Sequence, residues 1–123
     1  MPSEEIQRIA DAINETSSLI TKLGNLQHLL ADFDRLRLAG ANFLGPEAEE
    51  YQEYWADAEA IQALSIGPAG EALATEMPDS PTLRKLRIEQ SADLNDNELR
   101  SLQATLDRAI AKAEAKMRKL LTS

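Results

Sequence analysis

Cysteine is absent from the chain, so disulfide bridges, thiolate nucleophiles and cysteine-ligated metal sites are excluded. That absence fits a reducing compartment. There is one histidine, His28, and the residue three positions before it is Asn25 rather than a carboxylate. The Glu-x-x-His pairs from which helical bundles build di-iron centres therefore cannot form. No apolar run approaches about 18 residues, the length that reads as a membrane span. The opening MPSEEIQRIADAINE carries acid early and no unbroken apolar stretch, which predicts no secretory leader, no membrane attachment and a cytoplasmic location. Glycine-rich phosphate loops and Gly-x-Ser-x-Gly elbows are missing: GPAG at residues 67–70 has neither lysine nor length. Aromatics are few, and basic residues vanish between Arg37 and Arg84.

That last gap shapes the charge. Residues 1–80 hold fifteen acidic side chains against four basic ones, whereas residues 81–123 hold six against nine. The net charge of −8 is thus concentrated in the first two thirds. Such a surface repels phosphate backbones, which predicts no direct nucleic-acid binding and favours a basic partner.

What remains is rich in Ala, Leu, Glu, Gln and Arg and poor in period-two alternation, the composition of an all-α fold. The chain is short enough to be one domain, residues 1–123, and long enough to bury a core without metal or disulfides. Ser3 caps a first helix, with Glu4 and Glu5 in its opening turn, where the helix dipole favours acid. Ile6, Ile9, Ala10, Ile13 and Ile20 share one face; Leu19, Leu23, Leu26, Leu30 and Phe33 form a second stripe rotated from it. Gly24-Asn25 lies inside that transition and predicts a kink or tight break, giving helices over 3–22 and 25–39. LAGANFLGP, residues 38–46, reads as a loop, with Pro46 at the first position of a helix over 46–65. Short helices follow over 70–76 and 81–91, separated by the PDSPT turn. Asn95 and Glu98 have capping-box spacing, and Leu94 and Leu99 have that of a hydrophobic staple. They open a long amphipathic helix over 95–121. The expectation is a bundle of four to six helices organised around that last one.

Two stretches carry functional interest. In GPEAEEYQEYWADAEA, residues 45–60, a helical wheel sorts Ala48, Tyr51, Tyr54, Trp55, Ala58 and Ile61 to one side. Glu49, Glu50, Glu53 and Asp57 sort to the other. The rings are either core or an exposed anchor patch, since Trp and Tyr are enriched at binding hot spots. The acids, four apart and with no cation in their own helix, repel one another by a few tenths of a kcal/mol per pair. Cations from elsewhere would relieve that, and the stripe Arg108, Lys112, Lys116 and Lys119 is the internal candidate. Beside that stripe, Leu99, Leu102, Leu106, Ala109, Ala113, Met117 and Leu120 form a seam able to pair with a second copy.

One motif has catalytic spacing. EEYQE at residues 49–53 and EMPD at residues 76–79 resemble the E-E-x-x-E and E-x-x-D pattern of all-α MazG-type nucleotide pyrophosphohydrolases. The resemblance implies that Glu49, Glu50, Glu53, Glu76 and Asp79 hold Mg²⁺ against a nucleotide's phosphates. It covers only those positions, and Pro78 stands inside the second half, where the family needs helix. The reading that accounts for more of the chain is a non-catalytic acidic module without cofactor: an adaptor, chaperone, inhibitor or regulatory subunit. It would dock a basic or nucleic-acid-binding protein through Glu49, Glu50, Glu53, Asp57, Tyr51, Tyr54 and Trp55. Self-assembly as a homodimer through the seam from Leu99 to Leu120 is the alternative.

Overall fold

The computed structural model describes residues 2–88 and 91–122. Five α-helices follow in order: α1 (Pro2–Leu38), α2 (Glu49–Ile66), α3 (Pro68–Glu76), α4 (Pro81–Arg87) and α5 (Asp96–Leu121). Short 3₁₀ turns, Ala41–Phe43 and Ser91–Asp93, lead into α2 and α5. There is no strand among the described residues, and no helix is long and apolar enough to cross a membrane.

The first helix is unbroken, 37 residues long and so about 55 Å from end to end. The break expected at Gly24-Asn25 does not occur. Leu23 and Leu26, on either side of that pair, are fully buried, as are Leu30 and Phe33 further along. Burying one such side chain is worth about 1.5–3 kcal/mol, which exceeds the roughly 1 kcal/mol that glycine costs a helix interior. Gly24 itself faces open space, with nothing within 4 Å of the point where a Cβ would stand. Gly24→Ala is therefore expected to stabilise the protein by about 0.5–1 kcal/mol in urea denaturation, through backbone entropy alone.

Helices α1 and α5 run antiparallel. Gln27 donates to Asp107 at 2.7 Å near the middle of the pair, and Arg37 meets Asp96 at one end. Leu99, Leu102, Leu106, Ala109 and Ala113 are buried between them. From Leu99 to Ala113 the seam expected to meet a second copy is buried within the same chain, against α1 and α3, and Met117 and Leu120 are half-buried.

The start of α5 follows its sequence signals. Asn95 Oδ1 accepts from the Glu98 amide at 2.9 Å, and Glu98 Oε1 accepts from the Asn95 amide at 3.2 Å. Leu94 and Leu99 are both buried. Glu98 also takes Lys85 Nζ at 3.0 Å, which holds its carboxyl below the usual range and fastens α4 to the cap.

Two boundaries shift. Helix α2 starts at Glu49 rather than Pro46, because residues 45–48 close a turn in which the Ala48 amide donates to the Gly45 carbonyl at 2.9 Å. Helix α4 ends at Arg87, short of the residue 91 expected; Glu89 and Gln90 lie outside the described residues. Helix α3 gains two residues at its start, where Pro68 takes the first-turn position that needs no amide.

Candidate functional site

Helix α2 also lies antiparallel to α1, so that the pairs Asp32–Asp57 and Arg35–Glu53 face each other. The rings of Phe33 and Tyr54 fix this register: they stack with centroids 4.7 Å apart and planes 19° from parallel, both fully buried. Once Tyr54 is inside, the residues at helical spacing from it are inside too. The buried positions of α2 are Tyr54, Asp57, Ile61 and Ser65. Ser65 is satisfied by donating to the Ile61 carbonyl at 2.7 Å.

The expected assignment of Asp57 to the outward acidic face is therefore wrong. Tyr54 and Trp55 are about 100° apart on the helix, so one neighbour cannot cover both. The stack with Phe33 selects Tyr54, rotating α2 so that Asp57 turns in and Trp55 turns out. Asp57 is only 9% exposed, while Glu49, Glu50 and Glu53 stay on the surface.

Asp32, Glu53 and Asp57 each bring a carboxylate oxygen to within 4.8 Å of the other two. Arg35 completes the group from one turn along α1, 2.7 Å from Asp32 and 3.5 Å from Glu53. Burial pushes the Asp57 carboxyl up to about 7, helped by its hydrogen bond to Asp32 and by that residue's charge. The same hydrogen bond, with that of Arg35, holds Asp32 below the usual carboxylate range. Of the two, Asp57 takes up a proton more readily, and once protonated it donates to Asp32. Like charges this close cannot both ionise freely. Asp57 Oδ2 is sealed from solvent, and no donor among the described residues reaches it.

Among the described residues, Arg35 of α1 is the cation that meets Glu53 of α2. Arg108 donates to Thr105 Oγ1 at 3.1 Å, and Lys112 pairs with Glu76 at 2.7 Å. That second pair also settles where the MazG-like positions go. The Glu76 carboxylate is nearly buried against Lys112, and Asp79 sits in the turn before α4 with a left-handed φ of 58°. Neither belongs to the carboxylate group formed by Glu53.

The aromatic residues grade from core to surface. Tyr54 meets Trp55 edge-on at 5.1 Å, and Trp55 meets Tyr51 at 6.2 Å. Tyr54 is buried and its hydroxyl is pushed up by desolvation, Tyr51 is half-buried, and Trp55 is 43% exposed. Trp55 borders an open groove of about 340 Å³ that it shares with Ala58, Glu59, Gln62, Ser91 and Ala92. Phe43, 86% exposed, lies in the loop leading into α2.

Asp32 and Arg35 were not singled out by their sequence. A signal existed: Asp57 stands three residues after Tyr54 and four before Ile61, the spacing of an inward face. Comparison of the chain with protein-family models, with curated proteins and with solved structures finds no match.

Proposed function

We propose that this protein is a non-catalytic binding module whose α2 surface docks a basic segment of another protein, with Trp55 as the anchor. The observation that carries the reading is an exposed indole beside a groove rimmed by Glu59, on a helix that has no cation of its own. An arginine or lysine stem laid on the Trp55 face gains about 0.5–1 kcal/mol from the cation–π contact, and its charged end reaches the Glu59 carboxylate. Glu49 and Glu50 on the same helix steer such a segment in, raising the association rate at low salt. Nucleic-acid-binding proteins carry basic segments of this kind, and carboxylates standing where phosphates would sit compete for them.

Trp55 is the sole tryptophan, so its fluorescence reports the site directly. Titration with a peptide alternating arginine and apolar residues is expected to give a saturable emission change that weakens as salt rises. An acidic peptide of the same length is expected to give none. The triple reversal Glu49→Lys, Glu50→Lys, Glu59→Lys is expected to weaken binding about tenfold or more, the range of a lost charge-complementary surface. Equal affinity for wild type and the reversed variant would overturn the reading.

A further inference from the structure

The groove at Trp55 leaves the Asp32–Glu53–Asp57 group unused. We infer that these three carboxylates form a binding site for one hard divalent cation, held between α1 and α2. The inference is independent of the docking surface proposed above.

Four observations carry it. First, the donor set is all oxygen and comes from two helices whose register is locked by the Phe33–Tyr54 stack, so the ligands are positioned before anything binds. Carboxylate-only sites select Mg²⁺, Mn²⁺ or Ca²⁺ over softer ions.

Second, the spacing fits. Ligand oxygens lie about 2.0–2.6 Å from such cations, so oxygens across one coordination sphere are separated by roughly 4–5 Å. The three oxygens lie within 4.8 Å of one another, which admits an ion without moving the backbone.

Third, Asp57 Oδ2 is buried in a residue only 9% exposed and has no donor among the described residues. A cation in the group would satisfy it. A sealed carboxylate oxygen without a partner costs about 1–3 kcal/mol, so its presence here calls for a ligand.

Fourth, the group is under-neutralised and its present cation is easily moved. Three carboxylates face one guanidinium. The Arg35 side chain is 62% exposed and its bond to Asp32 is a surface ion pair, worth about 0–1 kcal/mol. A divalent ion that meets all three carboxylates displaces it at little cost.

The test uses the full chain stripped with EDTA and titrated with Mn²⁺, followed by the loss of the free-ion electron paramagnetic resonance signal and by the thermal midpoint. The expected result is one saturable site per chain and a rise in midpoint with Mn²⁺. Asp57→Asn and Asp32→Asn are expected to weaken binding about tenfold or more, and Glu114→Gln, an exposed acid on α5, to leave it unchanged. Asp57→Asn keeps the shape of the side chain, so circular dichroism verifies that the variant is folded. Absence of saturable binding overturns the inference. So does equal weakening by Glu114→Gln, which marks a diffuse ion atmosphere rather than a site.

Discussion

Gly70→Ala is expected to destabilise the protein by about 3 kcal/mol or more, at the upper end of what one added methyl does in a packed interior. A Cβ at position 70 would lie 1.7 Å from the Ser65 carbonyl oxygen and 2.5 Å from its carbon. Those are backbone atoms of α2, not the end of a side chain that could swing away. Ser65 and Gly70 are both buried, and the Ser65 carbonyl also accepts from Arg87 Nε at 3.1 Å. One methyl therefore forces α3 away from α2 and breaks the bond that ties α4 to the same point. Alanine is the better helix former, so propensity alone predicts a gain of up to about 1 kcal/mol at a helical glycine, as at Gly24. The two glycines have opposite expected signs because one faces solvent and the other faces a carbonyl. Urea denaturation of both variants checks this, and a stable Gly70→Ala would mean that α3 does not approach α2 this closely.

Asp57→Asn, measured in EDTA, is expected to stabilise the protein at pH 8 by about 2 kcal/mol and to flatten its stability between pH 4 and 7. The sign follows from linkage. The Asp57 carboxyl has an ordinary value of 3.8 and is pushed up to about 7 in the fold. Between those values the folded state holds a proton that the unfolded state has released, so stability falls as pH rises through this window and levels off above it. The full displacement, roughly three pH units, sets a ceiling of about 4 kcal/mol. Part of that belongs to Asp32, whose carboxyl is held low by the same hydrogen bond and by Arg35. That residue acts in the opposite direction, contributing stability that is lost only as pH falls below the ordinary carboxylate range. Asparagine cannot ionise, and its amide can donate to Asp32 as the Asp57 proton does. A wild-type stability curve that is flat from pH 4 to 7 would show that Asp57 is not buried against Asp32. A residue that lowers stability at neutral pH and also removes Mn²⁺ binding when replaced is behaving as a site residue, because proteins carry such strain where a ligand relieves it.

The helices and their punctuation were legible in the residues themselves. GPAG and PDSPT separate elements where expected, and the Asn95–Glu98 box opens α5. The stripe Leu23, Leu26, Leu30 and Phe33 is core. These features depend on spacing along one strand of chain, which the sequence states outright. The continuity of α1 did not follow, because the local preference of Gly24 is weaker than the burial of its neighbours. The inward turn of Asp57 did not follow either. Periodicity tells which residues of a helix share a face, not the direction from which a neighbouring helix approaches. Along Tyr51, Tyr54 and Trp55 the apolar arc is wider than one neighbour can cover. Only the packing of Phe33 on Tyr54 chose between Tyr54 and Trp55. In doing so it brought a carboxylate from α2 against one from α1, two residues 25 positions apart in a chain that gives no local reason for them to meet.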